Sequence, residues 1–359
     1  MKNIVCFHLF NDYSGSPQVL RTVIEGLLEK GYNVDLVTSR GGVLDELESK
    51  ENLRMRQYIY RFAHNKFIRC LRYTWVQLQV FFIALGYMFK KETVIYINTI
   101  LPIGAAIGGR LAGKKVVYHY HENAKAKSTT YRILAKIMQL IASDIICVSQ
   151  YQRSFLRRKR SVFVIPNALQ KGFAAKLHPD SEKAFANQRV LMLGSLKSYK
   201  GTDEFIALAR RLNKYSFELV LNDSQENIDR YLKERKILPT GNLTIHPRQD
   251  DVTPFYNRAS LVLNLTNKKS AIETFGLTAL EAMTAGLPTI VPTVGGIAEM
   301  VADGVNGFRI DSQDCEGIEQ CIENILRNKD FFVNLSTNAL AKSRLYDAGS
   351  MVHNIATIL

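Results

Sequence analysis

Two glutamates eight residues apart, Glu273 and Glu281, flank a Phe-Gly bend in the window from Ala271 to Pro288. Leu277 to Ala285 consists of good helix formers and closes at Gly286, which predicts a helix beginning just after the bend. Glu273 then stands before the helix and Glu281 about one turn inside it. The start of such a helix presents unpaired backbone N–H groups near Gly276 and Leu277, and those donors suit a diphosphate. Gly276 permits close backbone approach. Taken alone, the same glutamates also read as a loop charge and a solvated helix residue.

Stepping from these residues to their supports, the first half of the chain alternates short apolar runs with helical patterns. Ile4 to Leu9, Asn33 to Thr38, Val94 to Asn98, Lys115 to Tyr120, Asp144 to Ser149 and Val162 to Asn167 are the expected strands. Runs without polar alternation suit a parallel sheet covered on both faces, a Rossmann-like architecture. After Ala168 the chain turns polar and irregular, and the pattern then restarts. Strands are expected at Arg189 to Leu193, Phe217 to Leu221, Leu243 to His246, Leu261 to Leu265 and Pro288 to Val291, with a helix from about Thr202 to Leu212. The expected organisation is a first α/β domain over 1–168, a linker over 169–188 and a second α/β domain over 189–335. A helical segment over 336–359 follows, and packing back on the first domain is one option for it. Open α/β sheets bind ligands beyond the carboxyl ends of their strands, so two such domains facing each other would make a cleft.

The bulk numbers agree with this plan. At ~150 residues per domain, 359 residues suggest about two. A composition of 47% hydrophobic and 22% charged residues excludes a disordered or collagen-like chain. Forty-seven Lys and Arg against 33 Asp and Glu give a charge of +14, which attracts nucleic acid, anionic lipid or phosphorylated small molecules. The five cysteines, Cys6, Cys70, Cys147, Cys315 and Cys321, show no C-x-x-C spacing and read as reduced core thiols of a cytosolic protein. The apolar start meets Asn11-Asp12 where a signal peptide would have a small-residue cleavage site, so it reads as a buried strand.

The window around Glu273, followed by Val294-Gly295-Gly296-Ile297-Ala298-Glu299 and on to Gly307-Phe308, resembles the C-terminal signature of the family-4 retaining glycosyltransferases, whose fold is GT-B. The resemblance extends to Gly194-Ser195-Leu196 with Lys200-Gly201 and to the Ile165-Pro166-Asn167 junction. It implies two Rossmann-like domains facing across a cleft and transfer of a sugar from a nucleotide-diphosphate donor. Glu273 would contact the donor sugar, Glu281 the ribose, and amides at Phe275, Gly276 and Leu277 the sugar and phosphate. Lys200 would hold the diphosphate, but Ser195 occupies the position where the family carries an Arg, so either Lys197 or Arg248 substitutes for the missing charge or donor binding is weaker. In Tyr118-His119-Tyr120-His121-Glu122-Asn123, His121 falls where the family places the His of a His-acidic pair. Gly15, between Ser14 and Ser16, would face the donor phosphate from the first domain; an ordinary βα turn is the plain alternative. His119 and His121 lack a third ligand at suitable spacing, so no metal and no other cofactor is expected.

The resemblance points to a sugar acceptor that is a saccharide or a lipid-linked saccharide, in bacterial surface polysaccharide synthesis. A UDP-sugar is favoured over a GDP-sugar, and the base, sugar and linkage stay open. The alternatives are a GT-B nucleotide-sugar epimerase and a non-catalytic basic adaptor. Arg61, Lys66, Arg69, Arg72, Lys90 and Lys91 surround the apolar run Trp75 to Phe89 with no acidic residue among them. A sheet-covering core helix explains the run; a peripheral face on an anionic membrane, helped by Arg153, Arg157, Arg158, Lys159 and Arg160, is the functional reading. Nucleic acid is not expected as a partner, because no recognition module accompanies the charge. The expected location is cytoplasmic, with a peripheral site at the inner face of the cytoplasmic membrane.

Overall fold

The computed structural model describes residues 2–60, 65–124 and 127–359; Arg61 of the basic group lies outside them. The chain divides into two units, Met1–Ala168 with Ala348–Leu359, and Leu169–Asp347.

In unit 1 the described strands are β1 (Asn3–Phe7), β2 (Asn33–Ser39), β3 (Leu53–Tyr58), β4 (Thr93–Asn98), β5 (Lys115–Tyr120), β6 (Asp144–Cys147) and β7 (Val162–Val164). They form one parallel sheet in the order β3-β2-β1-β4-β5-β6-β7. The helices are α1 (Gly15–Glu29), α2 (Lys66–Leu85), α3 (Ile103–Leu111), α4 (Thr129–Ile141) and α5 (Gln150–Ser154). Alternate residues of a strand face opposite sides. Val5, Phe7, Ile95, Ile97, Val116 and Tyr118 therefore share one face, where they form a single core with Val76, Val80 and Ala84 of α2, Ala105 and Ala106 of α3, and Leu134 and Met138 of α4. Two glycines let α2 and α3 lie close: a Cβ on Gly104 would meet the Gln77 carbonyl oxygen at 2.1 Å, and one on Gly108 the Phe81 oxygen at 2.4 Å.

Unit 2 contains α6 (Lys171–Ala174), α7 (Ser181–Asn187), β8 (Arg189–Gly194), α8 (Thr202–Arg211), β9 (Ser216–Leu221), α9 (Gln225–Glu234), β10 (Leu243–His246) and α10 (Thr253–Tyr256). It continues through β11 (Leu261–Leu263), α11 (Leu277–Thr284), β12 (Thr289–Val291), β13 (Gly307–Arg309), α12 (Cys315–Arg327) and α13 (Lys329–Ser343). The sheet is again parallel, in the order β10-β9-β8-β11-β12-β13. The last helix, α14 (Ala348–Ile358), belongs to unit 1 and packs on α1, where a Cβ on Gly26 would collide with Val352.

Three expectations need correction. Residues 169–188 are not an irregular linker: they carry α6 and α7, and Leu177 and Ala184 join the core of unit 2. The proposed boundary at 335/336 cuts through α13, and the change of unit comes at Asp347. Of the cysteines only Cys6 and Cys147 are buried, whereas Cys70 is exposed on α2.

Candidate active site

Both sheets reverse their strand order at one place, between β1 and β4 in unit 1 and between β8 and β11 in unit 2. The crevice beyond the carboxyl ends of strands flanking such a reversal is where open α/β sheets hold ligands. In unit 2, the loop after β8 carries Ser195, Lys197 and Lys200, and the loop after β11 carries Glu273. The reversal therefore brings together residues 73 positions apart: Lys200 Nζ donates to Glu273 Oε1 at 2.5 Å. Thr266 Oγ1 donates to the same carboxylate oxygen at 2.9 Å. Burial opposes ionisation of Glu273, but the Lys200 ammonium, the Thr266 hydroxyl and Lys197 outweigh it and hold the carboxyl below its usual range. Burial likewise opposes the charge on Lys200, and Glu273 reverses that, raising the ammonium above its ordinary value.

The backbone around this pair depends on glycine. Gly276 caps α11 at φ 99°, and a Cβ there would lie 2.5 Å from Ile297 Cγ1. Gly295 adopts φ 112°, where a Cβ would meet the Glu273 carbonyl oxygen at 2.4 Å, and the next amide, Gly296 N–H, donates to that oxygen at 2.8 Å. The Gly-Gly bend thus fixes the backbone of Glu273. Phe275 is buried and stacks edge-on to Tyr346 at 5.7 Å, so only its main chain is available to a ligand. Leu277 opens α11, and Glu281 follows on the same helix, where Tyr256 Oη donates to its carboxylate at 2.5 Å. Burial raises the Glu281 carboxyl, partly countered by that hydroxyl. Ser195 sits in the first loop with its carbonyl accepting from Thr202 Oγ1 at 3.2 Å. Arg248 follows β10; its amide donates to Asp223 O at 2.9 Å, toward the β9–β10 side of the edge. Of the two candidates for the missing cation, Lys197 is the one whose charge reaches Glu273.

In unit 1, His121 lies just past β5 on the face opposite α2, α3 and α4. Asn98, at the end of β4, connects three elements. Its side-chain N–H groups donate to His8 Nδ1 at 3.0 Å and to the Ser16 carbonyl at 3.1 Å, which leaves its oxygen to accept from His121 Nε2 at 2.9 Å. This assigns the proton of His121 to Nε2. Burial, followed by His119 and His8, pushes the His121 pKa well below 6.5, so the ring is neutral. His119 is a fully buried strand residue at 4.1 Å from the His121 ring, and Tyr96 Oη pairs with its Nδ1 at 2.6 Å. Glu122 is also buried and accepts from the Ile100 amide, a structural use. Gly15 begins α1, next to Asp12, whose carboxylate accepts from the Ser14 amide at 2.9 Å.

Thr266, Tyr256, Asn98 and His8 carry no motif of their own: Thr266 meets Glu273 through the folding of the single loop between β11 and α11, and the other three meet partners that are remote along the chain. The only local signal was the position of Asn98 at the end of an apolar run. In the basic segment Arg158 is engaged structurally: its guanidinium donates to the Ala142 carbonyl at 2.6 Å and the Ser143 carbonyl at 2.7 Å, closing the end of α4. Among the described residues no group of three or more His, Cys, Asp or Glu is placed to hold a metal ion.

Comparison with known proteins follows the same two-part division. Residues 13–170 match Glycosyltransferase Family 4, and residues 175–342 match Glycosyl transferases group 1. The capsular polysaccharide biosynthesis glycosyltransferase CapM of Staphylococcus aureus is 23% identical over 367 residues, covering 94% of this chain and 92% of that protein. An uncharacterised glycosyltransferase of Methanocaldococcus jannaschii is 25% identical over 210 residues, 57% of this chain and 56% of its own length. Among solved structures, Anabaena HepE in complex with UDP and glucose superposes with a TM-score of 0.79 at 20% identity, over 99% of each chain. Sucrose-phosphate synthase from Thermosynechococcus elongatus gives 0.80 at 17% identity, over 100% of this chain and 98% of that one. Two sheets reversed at the same point, each matched to its half of one enzyme architecture, place this chain among the family-4 glycosyltransferases of GT-B fold.

Proposed function

We propose that the protein is a retaining glycosyltransferase that moves a sugar from a UDP-sugar to a hydroxyl of a saccharide or lipid-linked saccharide, in the building of a bacterial surface polysaccharide. The observation that carries this reading is the Lys200–Glu273 pair beside the glycine-bent start of α11. An ammonium kept charged by its carboxylate has two further N–H donors for a diphosphate. The amides at Phe275, Gly276 and Leu277 add neutral donors and the positive end of a helix. Glu273 addresses the sugar hydroxyls, Glu281 the ribose, Lys197 the position of the missing guanidinium, and neutral His121 and Gly15 the donor from unit 1.

In the transfer, the bond from the anomeric carbon to the β-phosphate oxygen breaks and the bond to the acceptor oxygen forms on the same face. The acceptor proton passes to the departing phosphate. Negative charge grows on that phosphate, where Lys200 and the fixed amides stabilise it, and this electrostatic contribution is the principal catalytic one. Divalent cations are not required, so EDTA leaves the rate unchanged. HepE was solved with UDP and glucose, which supports the donor class, and the name of CapM supports the polysaccharide context. The work is expected at the cytoplasmic face of the membrane when the acceptor is lipid-linked.

A thermal-shift screen of UDP, GDP and their sugars tests the donor, since a ligand at ~100 times its Kd stabilises a folded protein by about 2.7 kcal/mol. Stabilisation by UDP compounds is expected; stabilisation by GDP alone overturns the base assignment. NMR of the product linkage tests retention, and an inverted anomer overturns it. Conversion of the donor sugar with no acceptor present identifies an epimerase instead.

A further inference from the structure

Helix α2 is apolar on two opposite sides. Val76, Val80 and Ala84 are buried against the sheet. Half a turn away, Phe67, Leu71, Trp75, Leu78 and Phe82 form one continuous stripe, exposed by 71, 54, 63, 48 and 65% respectively. A helix that merely covers a sheet carries polar residues on that side. The charge pattern is equally one-sided. Within α2, α3 and α4, which form one layer on the sheet, the charged residues are Lys66, Arg69, Arg72, Arg110, Arg132 and Lys136, with no Asp or Glu. Helix α1, in contrast, carries Glu25 and Glu29. Near the end of α2 a cavity of about 320 Å³ is lined by Arg56, Phe82, Ile83, Gly86, Tyr87 and Lys90. Two cations over apolar walls suit a phosphate head group together with the first methylenes of its chains.

We infer that this layer seats unit 1 on an anionic phospholipid bilayer, with the aromatic stripe of α2 entering the boundary between head groups and acyl chains. Among the described residues no helix is long and apolar enough to cross a membrane, so the seat is interfacial. Charge decides the occupant. A second copy would bring the same excess of cations against these, whereas anionic lipid is attracted by them while taking up the apolar stripe. The inference deepens the membrane-side reading above and rests on it for its biological purpose, but the binding it describes needs neither donor nor acceptor.

Trp75 is the only tryptophan of the chain and reports directly. The full protein is mixed with phosphatidylcholine vesicles with and without phosphatidylglycerol, at low and high salt. Expected are a blue shift of Trp75 emission, quenching by brominated lipid and co-sedimentation with the anionic vesicles, all weakened by salt. The double variant Leu78→Asp, Phe82→Asp should lose vesicle affinity by at least roughly tenfold, and Lys90→Glu with Lys91→Glu should weaken it while keeping the thermal transition. An unshifted Trp75 with anionic vesicles overturns the inference, and so does concentration-dependent dimerisation that shields Trp75 without lipid. Loss of sugar transfer with vesicle binding intact counts against the proposed function alone.

Discussion

Lys200 and Glu273 set each other's charge: burial disfavours the charged form of each, and the partner more than offsets it, holding Lys200 above and Glu273 below its ordinary range. Glu273→Gln should therefore act twice. Near neutral pH it should retain most UDP affinity yet lower transfer by at least about a hundredfold, the scale of removing one preorganised polar group. It should also let burial depress Lys200, so the alkaline limb of UDP binding moves to lower pH; a UDP titration across pH that matches the wild type would remove the coupling. Lys200→Ala loses a charge-assisted bond and should weaken UDP roughly 10- to 100-fold. Much of this site was legible in the sequence, since Glu273, Gly276 and Lys200 sit at turns and Glu281 in the short helix that follows, all with local spacing. Their supports were not. Tyr256 and the Asn98 link between His8 and His121 arise from tertiary packing of remote segments, and Thr266 reaches Glu273 only through the irregular path of the loop between β11 and α11, which has no periodicity to read.

At the level of elements, glycine decides how closely helices approach. Gly104→Ala would force a Cβ onto the Gln77 carbonyl, and overpacking of this kind costs about 1–3 kcal/mol. A thermal midpoint lowered by several degrees is expected, with UDP affinity unchanged because the lesion lies on the sheet face opposite His121 and the Lys200 site is in unit 2; equal stability would show that α2 and α3 can slide apart freely. Interior strands such as β4 and β5 were readable as apolar runs because both of their faces are covered. β3, with the sequence Leu-Arg-Met-Arg-Gln-Tyr, was missed because it is a half-exposed edge strand, and β13 because three residues make too short a signal. The segment 169–188 looked like a linker through its polar composition, although Leu177 and Ala184 join the core and Phe173 and Phe185 pack against it. The outer side of α2 was also hidden, since an apolar run does not say which of its faces finds a partner.

For the whole molecule, acid should affect the two units in sequence. Burial holds His8 at about 4 and His119 at about 3, with His121 also well below 6.5, so unit 1 keeps all three rings neutral. The unfolded chain takes up protons below its ordinary histidine value of about 6.5, so this stability is complete above that pH and is lost as pH falls toward 4. His8 alone contributes on the order of 3 kcal/mol. In unit 2, burial opposes the charge on Glu218 while Arg258, Arg189 and His246 favour it, leaving its pKa lowered; that contribution holds above the ordinary carboxylate range and fails only as pH drops through the depressed value. Calorimetry at pH 7 and pH 5, with the Gly104→Ala variant marking which transition belongs to unit 1, should show that transition falling further than the one from unit 2, and the reverse order would refute the histidine account. The placement of α14 bears on how the protein is made. Val352 lies against Gly26, and Lys115 donates to the Ile358 carbonyl, so unit 1 is closed by a helix that the chain reaches only after the whole of unit 2. A chain truncated after Asp347 would carry a finished unit 2 beside an unsealed unit 1, and pulse proteolysis should find unit 1 the more easily cleaved of the two, with protection restored in the chain that includes α14.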